Sequence, residues 1–166
     1  MLKKGFNLIE VLIIVGIIGA ILTIVLVVLN PSKILEKSRD SQRFADLKSI
    51  SEAVNQYLAA GFNFEGLSGP YSSIDTGFAS DRAREKIDGS GWIPLKLEIS
   101  SGKTLSNLPL DPLNTVSHHY RFGISPSSKT YEIDASFESE ENISKASSDD
   151  GNNPNVYELG TDLTLL

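Results

Sequence analysis

The feature that most constrains this chain is an almost continuously apolar run of about 24 residues, from Phe6 to Leu29. As an α-helix the run is ~36 Å long, which is enough to cross the ~30 Å hydrocarbon core of a bilayer. Glu10 lies near the beginning of the run. A carboxylate among lipid tails costs at least ~2.5 kcal/mol, so we expect a compensating partner for Glu10.

Two simple explanations of this segment leave something unexplained. A secretory signal peptide has an apolar core of roughly 7 to 15 residues and then small residues at its cleavage site, and this chain has neither. A plain membrane anchor fits the length but does not account for Glu10, nor for the abrupt junction of Lys3-Lys4-Gly5 with Phe6. The run ends at Asn30-Pro31, which predicts an N-cap and a first-turn proline opening a second helix.

The stretch from Lys4 to Val11, KGFNLIEV, resembles the leader junction of type IV prepilins and of the related pseudopilins of type II secretion. The resemblance implies that a prepilin peptidase cuts between Gly5 and Phe6 and that the new amino terminus at Phe6 is N-methylated. It also implies a role in filament assembly for the glutamate at the fifth mature position, Glu10. The family often has a proline earlier than Pro31, so the bend is displaced here or the first helix is longer.

The pattern predicts an α+β protein in which a long N-terminal hydrophobic helix, extended by an amphipathic helix, packs on a small antiparallel sheet. The chain is predicted to consist of four successive parts: a leader (1–5), a transmembrane and filament-core helix (6–30), an amphipathic helix (31–60) and a globular head (61–166). Within the head we expect a variable loop over residues 61–91 and a C-terminal sheet over residues 92–166.

The second helix is predicted from apolar residues at spacings of three and four, namely Leu47, Ile50, Val54, Tyr57 and Leu58. This stripe is expected to pack on the head. Asp40 and Arg43, three residues apart, are expected to pair on the solvent-exposed face of the helix. Gly61 is expected to end the helix as a C-cap residue.

Strand patterns follow in the last part of the chain. Trp92-Ile93-Pro94-Leu95 predicts an edge strand, because a proline is tolerated only at the edge or end of a sheet. The segments HHYRFGI and TYEIDASF predict a hairpin joined by SPSSK, and VYELGTDLTL predicts a last strand. The segment LPLDPLN has the composition of a turn.

Charge excludes some functions and leaves the orientation in the membrane open. The net charge of −6 is concentrated in the last third of the chain, so we expect no nucleic acid to bind the head. Lysines and arginines lie on both sides of the apolar run, and counting them favours a cytoplasmic head. Long domains are exported regardless of charge, and the resemblance to prepilins implies an external head.

Few residues suggest catalysis or metal binding. His118 and His119 are adjacent, so on a strand they face opposite sides and cannot share a metal ion. Residues 147–155 contain carboxylate and amide oxygens next to a glycine, the ligand type that calcium prefers, although their spacing does not match an EF-hand and assigns no ligands. Major pseudopilins similarly bind calcium near the end of the sheet, which favours a calcium site here, but the same residues are equally typical of a polar turn. Apart from this calcium candidate, no cofactor is expected.

The leading hypothesis is therefore a non-enzymatic filament subunit that polymerises with itself or with other pilins. Its implied partners are the prepilin peptidase, an assembly platform and ATPase of the inner membrane, and the membrane itself. Before assembly it would be a single-pass protein of the inner (cytoplasmic) membrane, and afterwards part of an extracellular or periplasmic filament. A pseudopilin of type II secretion fits the N-terminal features equally well. A monomeric anchored binding domain leaves Glu10 unexplained.

Overall fold

The computed structural model describes residues 7–99 and 105–166. These residues form four α-helices and a four-stranded antiparallel sheet, so the predicted α+β class with a small antiparallel sheet is confirmed. The elements in chain order are α1 (Leu8–Leu29), α2 (Pro31–Ala59), β1 (Tyr71–Ser72), α3 (Asp81–Arg84), β2 (Tyr120–Ser125), β3 (Thr130–Ala135), α4 (Glu140–Ala146) and β4 (Tyr157–Gly160). The chain divides into two units, Met1–Glu36 and Lys37–Leu166.

The predicted break between the first two helices is confirmed at Asn30. This residue ends α1 in the left-handed conformation with φ of 41°, and α2 begins at the next residue, Pro31. Pro31 has no N–H to donate, so a first helical position suits it. The side chain of Asn30 accepts a hydrogen bond from the Ser32 hydroxyl at 2.6 Å, and its carbonyl accepts one from the Lys33 N–H at 3.0 Å.

The predicted apolar stripe of α2 is confirmed as core. Leu47, Ile50 and Val54 are buried, together with Ala53, which continues the same face. The helix ends in a Schellman motif, in which Phe62 N–H donates to the Tyr57 carbonyl and Gly61 N–H to that of Leu58. Gly61 has a φ of +90°, a conformation that glycine adopts without strain, so its predicted role at the helix end is confirmed.

The sheet is antiparallel throughout, in the order β1-β2-β3-β4. The predicted hairpin is confirmed as β2 and β3, and its alternating apolar side chains form the inner face of the sheet, namely Tyr120, Phe122, Tyr131, Ile133 and Ala135. The Tyr131 hydroxyl makes hydrogen bonds with the Ser51 hydroxyl at 2.8 Å and with Asn55 Oδ1 at 3.0 Å. These bonds attach the inner face to α2.

Two predictions about the head are wrong. Residues 92–95 form no strand: Trp92, Ile93 and Leu95 are buried in an irregular segment, with the Trp92 N–H donating to the Arg84 carbonyl. The apolar residues therefore reflected burial and not pairing with another strand. The sheet is also not confined to residues 92–166, because β1 lies inside the predicted variable loop and pairs with β2. Helix α4 was not predicted.

The chain from Ser32 onward is expected to be soluble and folded without the apolar helix. The core of the second unit is made of residues after Lys37, so removing the first 31 residues deletes no buried side chain of that core. Circular dichroism should show helix and strand together, and urea should unfold the fragment cooperatively. Aggregation of the fragment while the full chain stays folded in detergent would contradict this division.

Candidate functional site on the apolar helix

Of the predicted site residues, the structure describes Glu10, whereas Gly5 and Phe6 lie outside the described residues. Glu10 is in the first turn of α1, and its N–H donates to the Asn7 carbonyl at 3.0 Å. The Asn7 side chain caps the same turn by accepting from the Ile9 N–H at 3.4 Å. The first turn of a helix carries unpaired N–H groups and the positive end of its dipole, so it favours a carboxylate.

The surface of α1 is apolar on all sides. Glu10 is the only charged residue between Leu8 and Leu29, and the 18 residues from Leu8 to Val25 have a mean hydropathy of 2.9. None of that window is buried by the rest of the protein. A helix that is apolar all round requires lipid or other helices around it. By length and composition, α1 is able to span a membrane.

A cluster of buried charges lies in the second unit, Lys37–Leu166, and shows that one sequence prediction was wrong. Asp40 and Arg43 do form an ion pair, at 2.8 Å between Nη1 and Oδ1, but both side chains are 0% exposed and not on a solvent-exposed face. Arg43 also binds Asp111 through two hydrogen bonds of 2.6 and 3.0 Å, and Glu138 at 2.6 Å. Asp40 in turn accepts from the backbone N–H groups of Glu138 and Ser139.

The pKa shifts in this network follow from its hydrogen bonds. Burial opposes the charge on Arg43, but the bonds to Asp111, Glu138 and Asp40 outweigh it and raise its pKa. Burial likewise opposes the charge on Asp40, and the bonds from Ser139 and its neighbours outweigh it and lower the pKa. The guanidinium thus makes four hydrogen bonds to three carboxylates and is shielded from solvent, so we assign it a structural role.

In the predicted calcium loop, both carboxylate oxygens of Asp149 accept hydrogen bonds from backbone N–H groups of the protein. Asp149 accepts from the Gly151 N–H through Oδ1 at 3.0 Å and from the Glu158 N–H through Oδ2 at 2.7 Å. His118 and His119 lie in the turn before β2, where the His118 N–H donates to the Thr115 carbonyl. In the part of the chain that the structure describes, no three His, Asp or Glu side chains are grouped so as to hold a metal ion. Calcium binding stays a prediction.

Sequence analysis missed the acidic residues on the other side of the sheet. Glu132, Asp134 and Glu158 alternate with the apolar residues of β3 and β4, which is typical of a solvent-exposed face, yet all three are buried. The residues after β4 cover part of this face. No short-range pattern marks that arrangement, because the covering residues are distant in sequence from β3.

The fold and the helix together define a broad class: an α+β protein with one N-terminal helix, Leu8–Leu29, apolar enough to act as a membrane anchor. Comparison of the chain with family models, curated proteins and solved structures gave no match. A narrower assignment therefore depends on the residues around Gly5 and Glu10.

Proposed function

We propose that this chain is a prepilin: a structural subunit of a type IV pilus-like filament that is cleaved after Gly5, N-methylated at Phe6 and polymerised through α1. The head takes no part in catalysis and is displayed outside the membrane. Before assembly the subunit is a single-pass protein of the inner membrane. A peptidase processes it, and a membrane platform and an ATPase drive its assembly.

The single observation that carries this proposal is Glu10 within an apolar helix that has no buried residue from Leu8 to Val25. Cleavage after Gly5 creates a cationic amine at Phe6, only four residues from Glu10. In hydrocarbon, each charge alone is costly, and the attraction between them is strong because the dielectric constant is low. The amine thus supplies the compensating partner that Glu10 requires.

The same residues support a pseudopilin of type II secretion as the second candidate, because its N-terminal features are shared. The two differ in the filament that incorporates the subunit, and isolation of native filaments distinguishes them. A monomeric anchored domain is less well supported, since it gives Glu10 no cationic partner in the membrane.

The mature protein is expected to begin at a methylated Phe6. Intact-mass and N-terminal sequence analysis of the membrane-embedded protein tests this directly. Gly5→Val is expected to leave the precursor uncut, because a branched side chain replaces a residue that has none at the scissile bond. Leu2→Ala, a change within the leader but away from the bond, should be processed normally. Assembled material that begins at Met1 or Leu2 would refute the proposal.

A further inference from the structure

Two neighbouring rows of residues cross the outer face of the sheet, one of charged residues and one with a glutamate between two glycines. Strand register aligns residues of β2, β3 and β4 across the sheet. One row consists of Arg121, Asp134 and Glu158, and the neighbouring row consists of Gly123, Glu132 and Gly160. Glu132 is therefore flanked by two residues without side chains, which leaves space above it for another part of the chain.

That space is filled by a segment that we call the cover segment (residues 161–166). A Cβ atom at Gly123 would come within 2.8 Å of the Leu166 side chain, so glycine is required for this close approach. Glu132 Oε2 accepts from the N–H groups of Leu165 at 2.6 Å and Leu166 at 3.1 Å. One carboxyl oxygen of Glu132 thus holds the cover segment, and Glu132 is 0% exposed.

Glu158 is also buried and accepts a backbone hydrogen bond, in its case from the segment that precedes β4. It is 2% exposed, and its Oε2 accepts from the Asn153 N–H at 3.0 Å. The second oxygens, Oε1 of Glu132 and Oε1 of Glu158, are buried, and within residues 7–99 and 105–166 neither has a donor to bond to. The register of β3 and β4 makes Glu132 and Glu158 diagonal neighbours on the same face of the sheet, a spacing at which long side chains reach each other. Two carboxylates have no hydrogen to donate, so they can bond only if a proton lies between them.

Charges of both signs surround the pair, and Arg121 interacts electrostatically with both glutamates. Asp134 on β3 adds a negative charge, and Arg121 on β2 bonds directly to Asp134 and not to the pair. His119, which precedes β2, interacts electrostatically with Asp134. Both carboxylate oxygens of Asp149 accept hydrogen bonds from backbone N–H groups. Burial, followed by the hydrogen bond with Glu158, raises the pKa of Glu132 to about 7.

We propose that Glu132 and Glu158 share one proton across β3 and β4, and that this shared proton makes the attachment of the cover segment pH-sensitive. With the proton, the pair is joined by a hydrogen bond and carries one negative charge in place of two, and Glu132 holds Leu165 and Leu166. Without it, two buried carboxylates repel each other, and the repulsion is relieved when the cover segment detaches and water reaches Glu132. This proposal does not depend on the filament assignment.

The direction of the pH effect follows from the raised pKa of Glu132. In the detached state Glu132 is solvated and titrates near its ordinary pKa of 4.5, whereas in the attached state it titrates near 7. The attached state therefore binds more protons between these values. Its extra stability is fully present below about pH 4.5 and is lost as the pH rises through about 7.

Hydrogen exchange of the full chain in detergent, read by mass spectrometry, tests the proposal. After correction for intrinsic exchange rates, protection of residues 161–166 is expected to fall about thirtyfold between about pH 5.5 and about pH 8.5. Glu132→Gln should keep the high protection at both pH values, because its amide donates permanently to Glu158 and its carbonyl still accepts from Leu165. Glu158→Gln should do the same. Glu65→Gln, at an exposed glutamate, should retain the wild-type pH dependence.

Three results would overturn the proposal. The first is wild-type protection that does not change with pH. The second is a pH dependence that persists in both glutamine variants, because it would then belong to His119 or another group. The third is recovery of protection at high pH on adding Ca²⁺ in the wild type but in neither variant, since a cation and not a proton would then join the carboxylates. Circular dichroism at both pH values checks that the variants are folded, and failure of both to fold at low pH also counts against a shared proton.

Discussion

Glu10→Leu is expected to abolish filament formation while the subunit remains inserted and processed. Leucine suits the apolar surroundings of α1 better than glutamate does, so the monomer should be at least as stable in the membrane. Filament assembly should fall by at least about tenfold, which corresponds to a loss of ~1.4 kcal/mol per contact. The reason is that the methylated amine of a neighbouring subunit loses the carboxylate with which it pairs, and this ion pair stabilises the correct axial stagger.

Glu10→Gln separates charge from hydrogen bonding. It keeps the shape of the side chain and an acceptor for the amine but removes the negative charge, so we expect assembly to be reduced or absent. Ile9→Leu, an apolar change at the adjacent residue, is the matched control and should assemble normally. The measurement compares sheared filaments with membrane-retained subunit for each variant. A normal yield of filaments from Glu10→Leu would exclude the proposed role of this residue.

Arg43→Met is expected to destabilise the head by about 3 to 5 kcal/mol, the usual cost of leaving buried carboxylates without their counter-charge. Asp40 and Asp111 lose the guanidinium that bonds to both of them, and neither is exposed enough to recover water. Stabilities of whole domains are ~5 to 15 kcal/mol, so the variant should be partly unfolded at moderate temperature. Urea unfolding of wild type and variant gives the difference in the free energy of unfolding.

The control variants distinguish charge from packing. Arg82→Met, at an exposed arginine of α3, should change the free energy of unfolding by less than about 0.5 kcal/mol. Arg43→Met combined with Asp40→Asn and Asp111→Asn should recover part of the lost stability, because the uncompensated charges are removed as well. If Arg43→Met alone is as stable as the wild type, the network contributes nothing to folding.

Sequence patterns predicted the elements whose cause is local. The length of α1 follows from an uninterrupted apolar run, its end from Asn30-Pro31, and the end of α2 from Gly61. The hairpin of β2 and β3 follows from the alternation of apolar and polar residues on either side of a short turn. In each case the deciding interactions join residues that are close in sequence, so the pattern carries the information.

Patterns failed where a residue's environment comes from a distant part of the chain. Trp92 and its neighbours are apolar because they fill the core, and apolarity alone does not distinguish a strand from a buried irregular segment. β1 has only two residues and pairs with β2 across about 50 positions of sequence, so no local signal of strand length marked it.

The amino-acid sequence by itself determined the apolar helix with its single carboxylate, and therefore the requirement for lipid or other apolar surfaces around it. Only the tertiary structure decided that Asp40 and Arg43 are buried and that Glu132 and Glu158 are buried on the outer face of the sheet, with the cover segment bonded to Glu132. The physical reason is the range of the interactions. Apolarity and helix capping act within a few residues, whereas the burial of a charge depends on partners such as Asp111 and Leu165, which are brought close only by folding.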